Sequence, residues 1–145
     1  KLGYEVGIRD IIKTAHSMGI HSELEPVPSL SLGASDVCLL DLVNSYCTVI
    51  DRGNYNDPLL VLRIEDREGN LLYEAKPDKQ HALSERTAYF MEQLLRGGLT
   101  QPGGTTAALW QYIHPVLDKA EFGGKTGTSN NHYLSTSTIH PGNTS

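Results

Sequence analysis

Apolar residues recur at helical spacing near the start of the chain. Ile8, Ile11, Ile12 and Ala15 share one side of a 3.6-residue period, which predicts a helix over residues 4–18 stopped by Gly19. The next stretch, HSELEPVPSL, holds Pro26 and Pro28. Proline lacks the N–H that a helix interior uses, so an ordered loop or extended crossing segment is expected. In LGASDVCLLDLVNSYCTVIDRG the residues Leu39, Val43, Tyr46, Cys47 and Ile50 form an apolar stripe. That predicts a core-facing helix, capped by Ser35, favoured at its start by Asp36 and ended by Gly53. LLVLRIED and LLYEAKP flank Glu68-Gly69-Asn70, a β-hairpin pattern. A further helix is predicted from Ser84 to Arg96, with Ala88, Met91, Leu94 and Leu95 inward and Gly97-Gly98 as its stop. A short helix from Thr105 to about Tyr112 and a strand through EFGGKTGTSNN complete the order.

Helices and strands in that order, without βαβ alternation, predict an α+β fold with helices packed on an antiparallel sheet. Residues 1–133 read as one partial domain. The remainder, LSTSTIHPGNTS (134–145), is rich in Ser, Thr, Gly and Pro and predicts a disordered polar tail.

Charge narrows the function. The chain of 145 residues carries a formal charge of −5, which argues against nucleic acid as a partner, because a basic face supplies most of that affinity. No apolar run approaches the roughly 18 residues of a membrane span. The opening KLGYEVGIRD has no signal-peptide core, and a start at Lys1 without Met leads us to expect sequence upstream. Cys38 and Cys47 on one helix would stand about 13.5 Å apart along its axis, beyond the roughly 7 Å a disulfide tolerates. Both are expected reduced and buried. His16, His21, His81, His114, His132 and His140 show no ligand spacing, so no metal and no cofactor is expected.

The chemistry concentrates in Gly124-Lys125-Thr126-Gly127-Thr128-Ser129. A phosphate loop of the form GxxxxGK[ST] would need glycine at position 119, which is Lys119. As a strand edge the stretch makes better sense. Side chains alternate along a strand, so Thr126 and Thr128 share a face and can both donate to one carboxylate. Gly127 lets a ligand approach the backbone, Lys125 on the other face biases the local field, and free edge N–H groups can serve an oxyanion. This is a site for an acyl compound with a free carboxylate; a turn-rich surface loop is the plainer alternative.

K-T-G is one of three motifs shared by class A β-lactamases and penicillin-binding proteins, beside S-x-x-K and S-D-N. The segments PSLSLGASDVCLLDLVNSYCTVIDRG, RGGLTQPGGTTAALW and AEFGGKTGTSNNH, in this order, resemble the C-terminal half of the transpeptidase domain of bifunctional, class A penicillin-binding proteins, over roughly residues 1–133. The resemblance implies a partial penicillin-binding/β-lactamase-like fold and a serine D,D-transpeptidase that cross-links peptidoglycan. Its partners would be a stem peptide or a β-lactam, and the missing N-terminal part of the same domain. The location it implies is the cell envelope, on the extracytoplasmic side of the cytoplasmic membrane. It assigns Lys125 and the Thr128 N–H to catalysis, and Thr126, Gly127, Thr128 and Ser129 to substrate binding. No serine of the chain is followed three positions later by lysine, and S-x-N occurs only as Ser129-Asn130-Asn131, after K-T-G. The nucleophile is therefore expected outside this chain, which alone would be inactive. A non-catalytic remnant serving as a scaffold or protein-interaction module is the alternative. Tyr133-Leu134-Ser135-Thr136 does not continue the family pattern, so an unpaired edge on the Lys125 strand is expected.

Overall fold

The structure is a computed structural model describing residues 1–109, 112, 122–128 and 134–139. The chain divides into two compact units, Lys1–Ser84 and Glu85–Ser145.

In the first unit, the helix predicted over residues 4–18 is broken into α1 (Leu2–Val6) and α2 (Ile8–Ser17). The break is Gly7, with φ 93°, a conformation outside the helix that glycine adopts without side-chain penalty. Gly19 ends α2 as predicted, its N–H donating to the His16 carbonyl at 3.0 Å. A second demand also falls on Gly19: a Cβ there would lie 2.1 Å from the Tyr55 ring. Pro28–Leu32 forms a 3₁₀ turn with proline in its first turn, closed by Gly33 in the left-handed region.

Helix α3 runs from Leu39 to Ile50 and starts later than the sequence predicts. Ser35 does not cap it; Cys38 stands at the N-cap position without a side-chain cap bond, and its own N–H donates to Ser22 Oγ at 3.0 Å. The buried face of α3 is Ser45, Thr48 and Val49, not the predicted stripe. Leu39 is 71% exposed and Val43 is also exposed. Cys38 and Cys47 are free, but exposed rather than buried. Polar residues can occupy the covered face because each hydroxyl is satisfied within the helix. Ser45 Oγ donates to the Leu42 carbonyl at 2.7 Å, and Thr48 Oγ1 to the Asn44 carbonyl at 3.2 Å.

Two small antiparallel sheets complete this unit. β1 (Asn54–Tyr55) pairs with β4 (Gln80–His81), and β2 (Arg63–Glu65) pairs with β3 (Leu71–Glu74). Gly53 locks the end of α3 to β4. Its N–H donates to the Thr48 carbonyl at 2.8 Å, and its own carbonyl accepts from Ala82 and Leu83 at 2.9 and 3.0 Å. The hairpin turn is held by Asp66, whose carboxylate accepts from the backbone and the side-chain amide of Asn70, each at 2.7 Å. These bonds, the side-chain one foremost, hold Asp66 below the ordinary carboxylate pKa. On one face of the hairpin Arg63 pairs with Glu65 and Glu74; Ile64 and Tyr73, opposite one another in register, are exposed. Tyr55 is a buried core residue here, and its phenol donates to Asp57 Oδ1 at 2.5 Å.

In the second unit, α4 spans Glu85–Thr100 and does not stop at Gly97-Gly98. Those glycines lie inside the helix. Gly98 serves close approach: a Cβ on it would stand 3.1 Å from the Gly124 carbonyl oxygen, and one on Gly123 would stand 3.1 Å from Leu95 Cβ. Ala88, Leu95 and Leu99 are buried, whereas Leu94 is 73% exposed and Met91 also faces outward, against expectation. Of the short helix predicted from Thr105 to about Tyr112, the described residues show a 3₁₀ turn, Ala107–Leu109, and a helical Tyr112; residues 110 and 111 lie outside the described residues. Against α4 lies β5 (Gly123–Thr128), paired antiparallel with β6 (Leu134–Ile139) over six positions, from Gly123↔Ile139 to Thr128↔Leu134. The predicted unpaired edge is thus paired on this side, and six residues of the predicted loose tail are a strand. Ladder bonds come from the backbone, and Thr136, Thr138 and Ile139 are β-branched residues suited to extended chain. The fold is mixed helix and antiparallel sheet, and among the described residues no helix is long and apolar enough to cross a membrane.

Two outcomes follow from this packing. Burial first, and then the bond to Asp57, push the Tyr55 phenol up to about 12 from an ordinary 10.0. A raised pKa means that the folded state holds its proton longer, so the stabilisation is complete below pH 10.0 and is lost as pH rises towards about 12. Urea midpoints measured below and above that lower bound should fall for the native chain and fall less for Tyr55→Phe; equal losses would refute the assignment. A Cβ on Gly104 would lie 2.1 Å from the Gly98 carbonyl oxygen. Gly104→Ala should therefore lower unfolding free energy by roughly 1–3 kcal/mol in the same assay.

Candidate active-site strand

The segment Gly123–Thr128 is a strand, not a loop. Gly123 and Gly124 are buried where β5 meets α4, and the chain emerges at Lys125, which is exposed. Glycine at position 123 lets the strand backbone lie directly on the helix. This brings Lys125 and Thr126 to the surface next to the 3₁₀ turn that follows Gly104.

In an antiparallel pair alternate residues turn their N–H and C=O groups to the partner, and the residues between turn theirs to the opposite edge. β6 occupies one edge of β5; among the described residues no strand pairs with the other. That edge offers backbone donors along the length of Lys125 to Thr128. Lys125 Nζ donates to the Thr126 carbonyl at 2.5 Å. The ammonium thus folds back over its own strand and sets a positive charge beside it. Thr126 is half-buried, and its hydroxyl donates to Thr105 Oγ1 at 2.9 Å. Gly127 is half-buried as well. Thr128 is the last residue of the strand and faces Leu134 in register, so the backbone puts positions 126 and 128 on the same face. Ser129, the remaining expected binding residue, lies outside the described residues.

The residue that sequence reasoning missed is Thr105. The signal available was the run Gly103-Gly104-Thr105-Thr106, a turn followed by two hydroxyls; nothing local says that one of them reaches β5. Its neighbour Thr106 is 2% exposed, and among the described residues its hydroxyl has no partner.

Two other features carry less chemistry. A cavity of about 410 Å³ in the first unit is lined mostly by apolar side chains, Ile11, Met18, Leu24, Leu30 and Leu42 among them, with Ser35 and Ser45 as its polar members and no Asp, Glu, His, Lys or Cys in its lining. Among the described residues no group of three His, Cys, Asp or Glu side chains is placed to hold a metal.

No protein-family model matches the chain. Penicillin-binding protein 1B of Vibrio cholerae is 30% identical over 131 residues, which is 89% of this chain and 16% of that protein. The D,D-transpeptidase domain of a peptidoglycan glycosyltransferase from Eggerthella lenta superposes with a TM-score of 0.69 at 20% identity, covering 97% of this chain and 41% of that one. Penicillin-binding protein A of M. tuberculosis, solved as an imipenem acyl-enzyme complex, superposes with a TM-score of 0.68 at 20% identity, covering 94% of this chain and 35% of that one. The chain spans less than a fifth of the length of the curated relatives it matches. Those relatives are class A penicillin-binding proteins over most of this chain. By sequence similarity, then, this chain is a relative of a segment of the class A penicillin-binding proteins, and its fold is that of part of a penicillin-binding transpeptidase domain.

Proposed function

We propose that residues 1–133 contribute the anion-binding wall of a serine D,D-transpeptidase. In this reading β5 receives the carboxylate-terminated end of a peptidoglycan stem peptide, or a β-lactam, at its open edge. The observation that carries the reading is β5 itself: a Gly-Gly-Lys-Thr-Gly-Thr strand with one edge paired, the other edge unpaired among the described residues, and a lysine ammonium bonded at 2.5 Å to the strand's own backbone.

Each residue then has a defined task. Thr126 and Thr128 hold the carboxylate through their hydroxyls. Lys125 offsets its charge from beside the strand; a charge-assisted contact of this kind is stronger than a neutral one. Gly127 leaves room for the ligand backbone, and Ser129 extends the binding strip. The Thr128 N–H supplies half of an oxyanion hole, stabilising the charge that develops as a serine attacks the acyl carbon. That serine, with its S-x-x-K lysine, belongs to the other part of the domain, and its N–H gives the second half. The chain alone performs no acyl transfer. Its place would be the cell envelope, outside the cytoplasmic membrane, as part of a cell-wall synthase.

Reconstitution tests this. The chain alone should take no covalent label from fluorescent penicillin. Mixed with the upstream piece carrying S-x-x-K and S-x-N, it should restore labelling of the serine on that piece. Lys125→Ala should reduce the labelling rate by about tenfold or more. Labelling that never appears with two folded pieces would sink the catalytic reading and leave a scaffold or interaction module.

A further inference from the structure

We propose that Thr105 is a positioning residue for the Thr126 hydroxyl, forming with it a two-hydroxyl relay that ends on a bound carboxylate. The inference rests on the proposed carboxylate role of Thr126 and goes beyond it by naming the group that aims it.

The geometry is direct. Thr126 Oγ1 and Thr105 Oγ1 are 2.9 Å apart, with the Thr126 hydroxyl donating. A hydroxyl has one proton and two lone pairs, and its proton rotates to suit its surroundings. With no anion bound, Thr126 gives its proton to Thr105. When a carboxylate reaches β5, Thr126 must turn that proton to the anion. Its lone pair then faces Thr105, which reverses and donates in its turn. The result is a chain running Thr105 to Thr126 to carboxylate, in which each bond polarises the next. No proton leaves either residue; only the two O–H directions change.

The site is built to keep Thr105 in place. Gly104 is pressed against the Gly98 carbonyl of α4, where a Cβ would stand 2.1 Å away, and its N–H donates to the Gln101 carbonyl at 3.1 Å. Thr106, directly after, is buried, and a Cβ on Gly98 would come within 3.2 Å of its hydroxyl. The backbone on both sides of Thr105 is therefore fixed against the helix that also carries β5. Thr105 is β-branched, so its hydroxyl has few rotamers to choose among. A serine in its place would keep the hydroxyl and lose some of that stiffness. A valine would keep the shape and lose the proton.

The test uses the full chain, labelled with ¹⁵N, and follows backbone amide signals of Gly124 to Thr128 during titration with acetyl-D-alanyl-D-alanine and with its C-terminal amide. The native chain should bind the carboxylate form more tightly than the amide. Thr105→Val should weaken carboxylate binding by about threefold to tenfold, the worth of one net hydrogen bond, and leave amide binding unchanged. Thr105→Ser should bind within about twofold of the native chain. Carboxylate affinity undiminished in Thr105→Val, or equally weakened in Thr105→Ser, overturns the relay while the carboxylate reading stands. A native chain that binds both forms alike overturns that reading and the relay with it. If Thr105→Val does not give a folded spectrum, Thr105→Ala takes its place, with the same expected loss and the same overturning result.

Discussion

The close approach of α4 and β5 is the constraint on which the second unit depends. A helix and a strand normally meet through side chains, but here backbone meets backbone at several points. Gly98 faces the Gly124 carbonyl, Gly123 faces Leu95 and Arg96, and Gly104 faces the Gly98 carbonyl. Each absent Cβ removes distance between main chains, and the sum draws β5 down onto the helix. A glycine inside a helix costs about 1 kcal/mol relative to alanine, so α4 gives up local stability for contact. Lys125 is exposed because the two residues before it are buried. The polar strip is thus presented on a rigid support, as a binding site needs.

This explains what the sequence disclosed and what it hid. The Lys125 strand was legible because its motif is local: alternation, glycine and hydroxyls are all within six residues. The helix that precedes it was legible in its start but not in its end. Gly97-Gly98 has the composition of a stop, yet a glycine pair also permits close packing, and only the position of β5 separates the two readings. Helix α3 was legible as a helix, while its covered face was not. Apolar periodicity reports which face is greasy; Ser45 and Thr48 are buried because their protons return to the preceding turn, a local bond with no signature in a hydropathy pattern. Gly7 at φ 93° divides what the periodicity joins, since Ile8 and Ile11 belong to the same stripe as their neighbours whether or not the backbone is continuous. The Thr105–Thr126 bond spans twenty-one positions, and no spacing rule reaches that far.

The two units differ in how they use polar atoms. In the first, carboxylates organise turns and strand ends: Asp66 holds the hairpin, Asp57 receives the Tyr55 phenol, and Asp51 accepts from Lys79 at 3.0 Å. In the second, hydroxyls and amides predominate around β5, and the positive group nearest the strand is Lys125. Among the described residues, the side-chain bonds made by Lys125 and Thr126 involve no acidic side chain. That division of labour suits a surface that receives a negatively charged ligand, since like charges close to the site would oppose it.

The pairing of β5 with β6 has one more implication. Gly-Gly-Lys-Thr-Gly-Thr against Leu-Ser-Thr-Ser-Thr-Ile is a ladder with little to choose between alignments, because small polar side chains interlock weakly. What fixes β5 lengthwise is its seat on α4. The partner strand can therefore drift in sequence, or shift by a residue pair, without moving the far edge of β5. Variation would be absorbed by the partner strand, while the glycines where β5 meets α4 would tolerate almost none.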